Sequence, residues 1–226
     1  MRSPSRLHAL IAALPLAVWT LFHLWEQWAA FAGRDAWAVR VRATSQGALG
    51  IAIELAVIVV PLAVWAGFTF RAAIRREALP GTARPEDRGL VRVVGRLAPI
   101  AAFVAIAFLV LHVGHLWGPK LVRGASELEA WSALTHDVGR PWMLVLYAIG
   151  LTAVALHLAA AIPAALGALG WVVTDSARRS AVLVSSVLAL CVWILAVQLT
   201  GWLATGAGTF WPIEVIETPA ELDVAP

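Results

Sequence analysis

Residues 97–118 read LAPIAAFVAIAFLVLHVGHLWG, an apolar run long enough to cross a bilayer, interrupted near its end by His112 and His115. A spanning helix needs about 20 mostly apolar residues. Four more segments meet that requirement, with approximate limits 8–31, 47–70, 141–163 and 180–203. Of the 226 residues, 61% are hydrophobic and only 14% charged, and the mean hydropathy is +0.81. That balance excludes an ordinary soluble domain. It predicts an all-α integral membrane bundle of five transmembrane helices over residues 1–210, followed by an acidic tail, 211–226. The linkers are short or polar and carry breakers such as Gly33, Pro80–Gly81 and Pro141, so no soluble domain fits on either side. The first run follows Arg2 and Arg6 but is long enough to span, so a cleaved signal peptide is not expected. The single cysteine, Cys191, lies in an apolar run, which excludes a disulfide framework and a cysteine metal cluster.

Direction follows from the basic residues. Eleven of the 17 fall on one side: Arg2 and Arg6, the second loop from Arg71 to Arg96, and Arg178–Arg179. Six fall on the other: Arg34, Arg40, Arg42, Lys120, Arg123 and Arg140. Positive loops stay inside, so the N-terminus is expected in the cytoplasm and the C-terminus outside. The basic pI of about 10 thus reflects topology, and no nucleic-acid partner is expected. Trp25, Trp28, Trp37, Trp117, Trp131, Trp142 and Trp211 cluster towards the outer ends, where an interfacial belt belongs.

Ionisable residues inside spans are functional candidates, because lipid burial is costly. At 1.5 Å per residue, His23 lies roughly 22 Å from the inner edge of the first span, and His112 lies at the same depth, roughly 22 Å, in the third. His157, in the inward-running fourth span, lies only about 9 Å from its inner end. Two imidazoles at equal depth on separate helices suit the two axial positions of a haem iron. The competing role for each is a hydrogen bond between helices. His115 sits three positions after His112, rotated by about 60° and raised by about 4.5 Å. It therefore cannot meet the same iron, and is expected at the interface beside Trp117.

Three stretches carry a family resemblance: SRLHALIAALPLAVWTLFHLWE (5–26), FLVLHVGHLW (108–117) and YAIGLTAVALHLAAAIPAALGALGW (147–171), followed by SARRS (176–180). In order and topology they resemble the five-helix cytochrome b subunit, the single-polypeptide membrane anchor, of succinate dehydrogenases and fumarate reductases. The resemblance covers nearly the whole chain. It implies His23 and His112 as ligands of an outer, distal haem b, and His157 as a ligand of an inner, proximal one. The second span departs from the pattern. IELAVIVVPLAVWAG (53–67) keeps the glutamate and proline as Glu54 and Pro61, but the proximal ligand position holds Trp65, whose indole offers no lone pair. Three outcomes stay open: loss of the proximal haem with Trp65 partly filling its place, ligation by His157 alone, or ligation by a group other than histidine. Loss is the expectation, which gives one haem, with two as the alternative.

The resemblance further implies a membrane anchor that docks a flavoprotein subunit and an iron–sulfur subunit and exchanges electrons with menaquinone or another quinone. The setting would be a bacterial-type inner membrane, and the dicarboxylate chemistry would belong to the flavoprotein. Glu54, an intramembrane carboxyl, is a quinone or proton-path candidate; Arg6 and His8, at the inner start of the first span, are candidates for a quinone headgroup or a partner subunit. Arg96 is a candidate for a haem propionate. Glu26 is expected at the outer surface. Ser185, Ser186, Gln198 and Thr200 are expected to bond between helices, and Pro61, Pro99 and Pro163 to bend or start helices. Two alternative classes remain: a cytochrome b of another redox complex, of the hydrogenase or formate dehydrogenase type, and a haem-free anchor.

Overall fold

In the computed structural model, residues 6–44, 47–124, 126–207 and 209–210 are described, without the side chains of 47–51, 53–55, 116, 117, 119–121 and 123. Glu54 and Trp117, as side chains, and the tail 211–226 therefore lie outside the described residues. Among the described residues, seven α-helices run in order: α1 (Arg6–Gln27), α2 (Arg34–Thr44), α3 (Gly47–Ile74), α4 (Gly89–Arg123), α5 (Glu127–Val138), α6 (Pro141–Ala168) and α7 (Asp175–Thr205). A 3-10 turn, Trp28–Ala32, joins α1 to α2. No strand occurs among the described residues. Five stretches are long and apolar enough to cross a membrane: Arg6–Ala32, Ala56–Ile74, Gly89–His115, Pro141–Ala168 and Asp175–Thr205. The chain is thus an all-helical, multi-pass membrane protein in its architecture, as its apolar runs predict.

Contacts between helices give their directions. His8 near the start of α1 meets Thr69 near the end of α3, so these two run antiparallel. His23 near the end of α1 faces His112 on the later half of α4, so those two run parallel. His157 late in α6 reaches back to Ala12 early in α1, and Trp202 late in α7 reaches Ala30. One end of the bundle therefore collects the starts of α1, α4 and α7 and the ends of α3 and α6. Its arginine-rich loop, 75–88, is pinned by Asp87, whose carboxylate takes both terminal nitrogens of Arg178 and the backbone N–H of Arg84. Burial pushes the Asp87 carboxyl up, but the bonds from Arg178 and Arg84 outweigh it and hold the group below the usual carboxylate range. Gly81, at φ +78°, lets this loop lie against the backbone of α6, where a Cβ would strike Ala160.

The short helices α2 and α5 are absent from a reading by apolar runs, and they cap the opposite end. A Ser126 capping box starts α5. Pro141 then opens α6 at a position where its missing N–H costs nothing. A small core of Ala30, Trp37, Ala38, Val41, Ala130 and Leu199 joins the cap to the bundle. Trp25, Trp28 and Trp142 are exposed at this end, as a belt requires. Trp37 is not part of that belt, because it is buried and packs on Trp131.

The main core is made of close helix contacts through small residues. Gly150 of α6 admits the Phe108 ring of α4, and no larger residue fits there. Ala12, Ala13, Ala105 and Ala161 are fully buried. Such residues let backbones approach, which is how helices gain dispersion energy in lipid. Ser185 donates across to Ala159 O of α6, as expected for a contact between helices. Thr200 instead returns its hydroxyl to Ala196 O of its own helix. Gln198 accepts from Phe210 N beyond the end of α7, and Ser186 Oγ has no partner. Pro61 and Pro163 lie inside helices rather than starting them.

Candidate cofactor site between paired histidines

His23 and His112 project from α1 and α4 towards each other, with ring centres 5.8 Å apart and planes at 81°. The equal depth estimated from helical rise becomes a contact. Each ring has a polar neighbour on its Nδ1 side. His112 Nδ1 lies 3.1 Å from the hydroxyl of Tyr147 on α6. His23 Nδ1 lies 3.7 Å from Glu26 Oε2, one turn along α1. Among the described residues, neither Nε2 has a protein partner. The rings meet edge to face, and the pair is a candidate to hold one metal centre between two helices.

Among the described residues, no group of three or more His, Cys, Asp or Glu gathers at one point. A pair of imidazoles from separate helices is the donor set that would hold a haem, which brings its remaining ligands with it. The surroundings are apolar and aromatic: Trp19 stacks on His23 with ring centres 4.7 Å apart, and Phe108 on His112 at 5.5 Å. A cavity of about 30 Å³ lies between Trp19, Pro61, Trp65, Leu109 and Val113, and neither histidine lines it. A macrocycle between the two imidazoles would displace the Trp19 and Phe108 stacks. One turn from each histidine sits a buried polar atom without a partner, Thr20 Oγ on α1 and His115 Nδ1 on α4. Orphaned polar atoms of this kind are rare unless a ligand or water meets them.

The inner position has a different character. His157 is 2% exposed, and its Nε2 lies 2.8 Å from the carbonyl oxygen of Ala12 on α1. Its ring packs on Trp65 with centres 4.4 Å apart. Trp65 is itself 2% exposed. Depth matching places these two together correctly, and the indole fills the space opposite His157. The residues present do not fit a second axial pair.

Comparison with known protein families, with characterised proteins and with solved structures finds no match for this chain.

His115 does turn away from the pair, as its rotation requires, but its partner is a carboxylate of the cap. Its Nε2 lies 2.8 Å from Asp137 Oδ2 on α5. That hydrogen bond, with Arg140 and His136 nearby, holds Asp137 below the usual carboxylate range although burial pushes the other way. His8 is buried against Phe68 and Thr69, so its ring is not offered to the surface. Arg6 is exposed and lines a cavity of about 730 Å³ at the arginine-rich end, with Ala9, Arg84, Ala160 and Arg178. Arg96 is exposed on α4.

Two residues at the site escape a reading by sequence. Glu26 is 6% exposed, not at the outer surface, because α2 folds over it: Thr44 Oγ donates to Glu26 Oε1. Tyr147, the only tyrosine of the chain, is buried beside His112. A signal for Tyr147 did exist. It lies six residues after Pro141 opens α6, which runs opposite to α1 and α4, so the depth estimate that pairs His23 with His112 also brings its hydroxyl near their level.

Proposed function

We propose that this chain is a haem b-binding membrane anchor of a succinate:quinone oxidoreductase, succinate dehydrogenase or fumarate reductase. The observation that carries the reading is the facing pair His23 and His112, His112 bonded at Nδ1 to Tyr147, His23 with Glu26 3.7 Å from its Nδ1, and neither Nε2 taken among the described residues. When bound, a haem with both axial positions filled supplies one-electron transfer. The chain's own residues bind and orient it. The two imidazoles come from separate helices, and Tyr147 and Glu26 stand on their Nδ1 sides.

The reading includes one haem per chain, because the Trp65–His157 contact leaves no inner axial pair. It places the arginine-rich end in the cytoplasm of a bacterial-type cell, by the excess of basic residues there. Flavoprotein and iron–sulfur subunits would dock on that end. The cavity beside Arg6, about 730 Å³ in volume, is the candidate place for a quinone headgroup at the same end. Glu54 is the candidate proton carrier in the outer part of the second span.

Purification of the tagged chain from its native membrane tests the whole reading. A reduced-minus-oxidised spectrum of low-spin haem b, together with co-purified flavin and iron–sulfur protein and succinate-dependent quinone reduction, is the expected result. A preparation without a Soret band sinks the haem assignment. Recovery of a hydrogenase or formate dehydrogenase catalytic subunit in place of the flavoprotein sinks the assignment of the complex.

A further inference from the structure

The two imidazoles of the outer pair have unequal partners. Tyr147 presents a neutral hydroxyl to His112 at 3.1 Å. Glu26 presents a carboxyl to His23 at 3.7 Å, an ion-pair distance rather than a closed hydrogen bond. That carboxyl is not left to solvent. Thr44 Oγ of α2 donates to Oε1, and Gln27 Nε2 donates to Oε2 at 3.2 Å. The orientation of Gln27 is set by Trp37, whose indole N–H, a donor only, binds Gln27 Oε1 at 2.6 Å. With its oxygen taken by Trp37, the amide must turn its NH₂ to Glu26. Both oxygens of Glu26 thus meet groups that can donate, the Thr44 hydroxyl being shared with Val41 O at 3.0 Å and Arg40 O at 3.3 Å of its own helix. The carboxyl has one further neighbour that can donate, the Nδ1 of His23.

We propose that Glu26 is a positioning residue for the His23 ligand. It holds the His23 proton on Nδ1, leaves Nε2 for the iron, and strengthens this imidazole as a ligand relative to His112, with α2 acting through Thr44 and Gln27 to set how strongly it does so. This rests on the haem reading above. A carboxylate behind a metal-bound imidazole fixes its tautomer and raises its basicity. A more basic ligand stabilises the oxidised iron, so the midpoint potential of the haem falls. The cap helix that apolar periodicity overlooks is then part of the redox site. Thr44 reaches from α2 to a carboxyl on α1, Trp37 reaches it through Gln27, and that carboxyl faces His23.

The test is a redox titration with electron paramagnetic resonance of the oxidised haem, on the detergent-purified complex and three variants. Glu26→Gln removes the charge while keeping the shape; it is expected to raise the midpoint potential, shift the low-spin signal, and weaken haem retention by about tenfold. Thr44→Val removes a donor from the carboxylate, leaves more of its charge for His23, and is expected to lower the potential. Tyr147→Phe, on the other imidazole, is expected to move the potential less than Glu26→Gln. Shifts of opposite sign in the Glu26 and Thr44 variants support the proposal, since a purely structural latch has no reason to produce them. An unchanged potential and signal in Glu26→Gln, or shifts of the same sign in both, overturn it. If Glu26→Gln fails to assemble, the direction of the Thr44→Val shift decides alone: downward supports, none or upward refutes. Absence of haem from the wild-type complex overturns the underlying reading instead, and is distinguishable at the first spectrum.

Discussion

Two histidines of this bundle, His157 fully buried and His112 half-buried, stand in different company. His157 has its Nε2 on the carbonyl of Ala12 and its face on Trp65. His112 has its Nδ1 on Tyr147 and a second imidazole, His23, across from it. Burial alone therefore does not mark a candidate ligand. The difference lies in which nitrogen the protein uses and in what stands opposite the ring. At the outer site the protein takes Nδ1 and sets an imidazole opposite. At the inner site it takes Nε2 and sets an indole opposite, and the position becomes a packing and hydrogen-bonding joint.

The largest effect that could break this comparison is on haem content. His112→Ala and His23→Ala are each expected to abolish the low-spin haem spectrum of the purified chain. His115→Ala and His157→Ala are expected to retain it. Loss in the His157 variant equal to that in the His112 variant would mean the inner position binds iron after all, as would a haem-to-protein ratio of two in the wild type.

Next comes stability at the inner joint. Trp65→Ala empties the space opposite His157 and is expected to cost about 3–5 kcal/mol, the usual range for a buried Trp reduced to Ala. Denaturation in detergent would read this, while the haem spectrum stays as in the wild type. A stability loss no greater than that of Trp28→Ala, at the exposed belt, would show that the indole is not a packing element.

A smaller effect separates the two sites by their hydrogen bonds. Tyr147→Phe removes one bond behind His112 and is expected to weaken haem retention by about tenfold, or ~1.4 kcal/mol. It should leave the folded structure intact, since the ring and its packing on Phe108 remain. Haem dissociation kinetics would measure it.

The smallest expected effect is at the cap, outside the spans. Asp137 is held below the usual carboxylate range by His115 and Arg140. A group depressed in the folded state adds stability that is present above its unfolded value and lost as pH falls through the folded one. The wild type should therefore lose more stability than Asp137→Asn on acidification through the ordinary carboxylate range and below. At neutral pH the variant should be about 1 kcal/mol less stable. Thermal melts across that pH window would check both. Parallel curves for the two proteins would remove the His115–Asp137 contact from the account.

The legible part of the site was its axial placement. His23 and His112 come out level because rise per residue is a property of the helix itself. Trp65 and His157 come out adjacent for the same reason, and the rotation that keeps His115 off the pair is equally local. What was illegible is azimuth and cover. Glu26 reads as a surface carboxyl at the end of an apolar run, yet α2 folds over it, and α2 has too few apolar residues to announce itself by hydropathy. Trp37 reads as belt and is cap core for the same reason. Thr200 reads as a bond between helices and binds its own backbone.

By itself the sequence determined five apolar helices, the direction bias carried by the arginines, and two pairs of residues matched in depth. These follow from local quantities: segment hydrophobicity, helical rise, and the position of charge along the chain. Only the tertiary structure decided which nitrogen of each histidine is taken, that Tyr147 and Glu26 stand behind the outer pair, and that Trp65 closes the inner one. Those depend on how each helix is turned about its axis and on which short helix crosses its end. Both are set by side-chain packing between segments far apart in the chain, which no local pattern records.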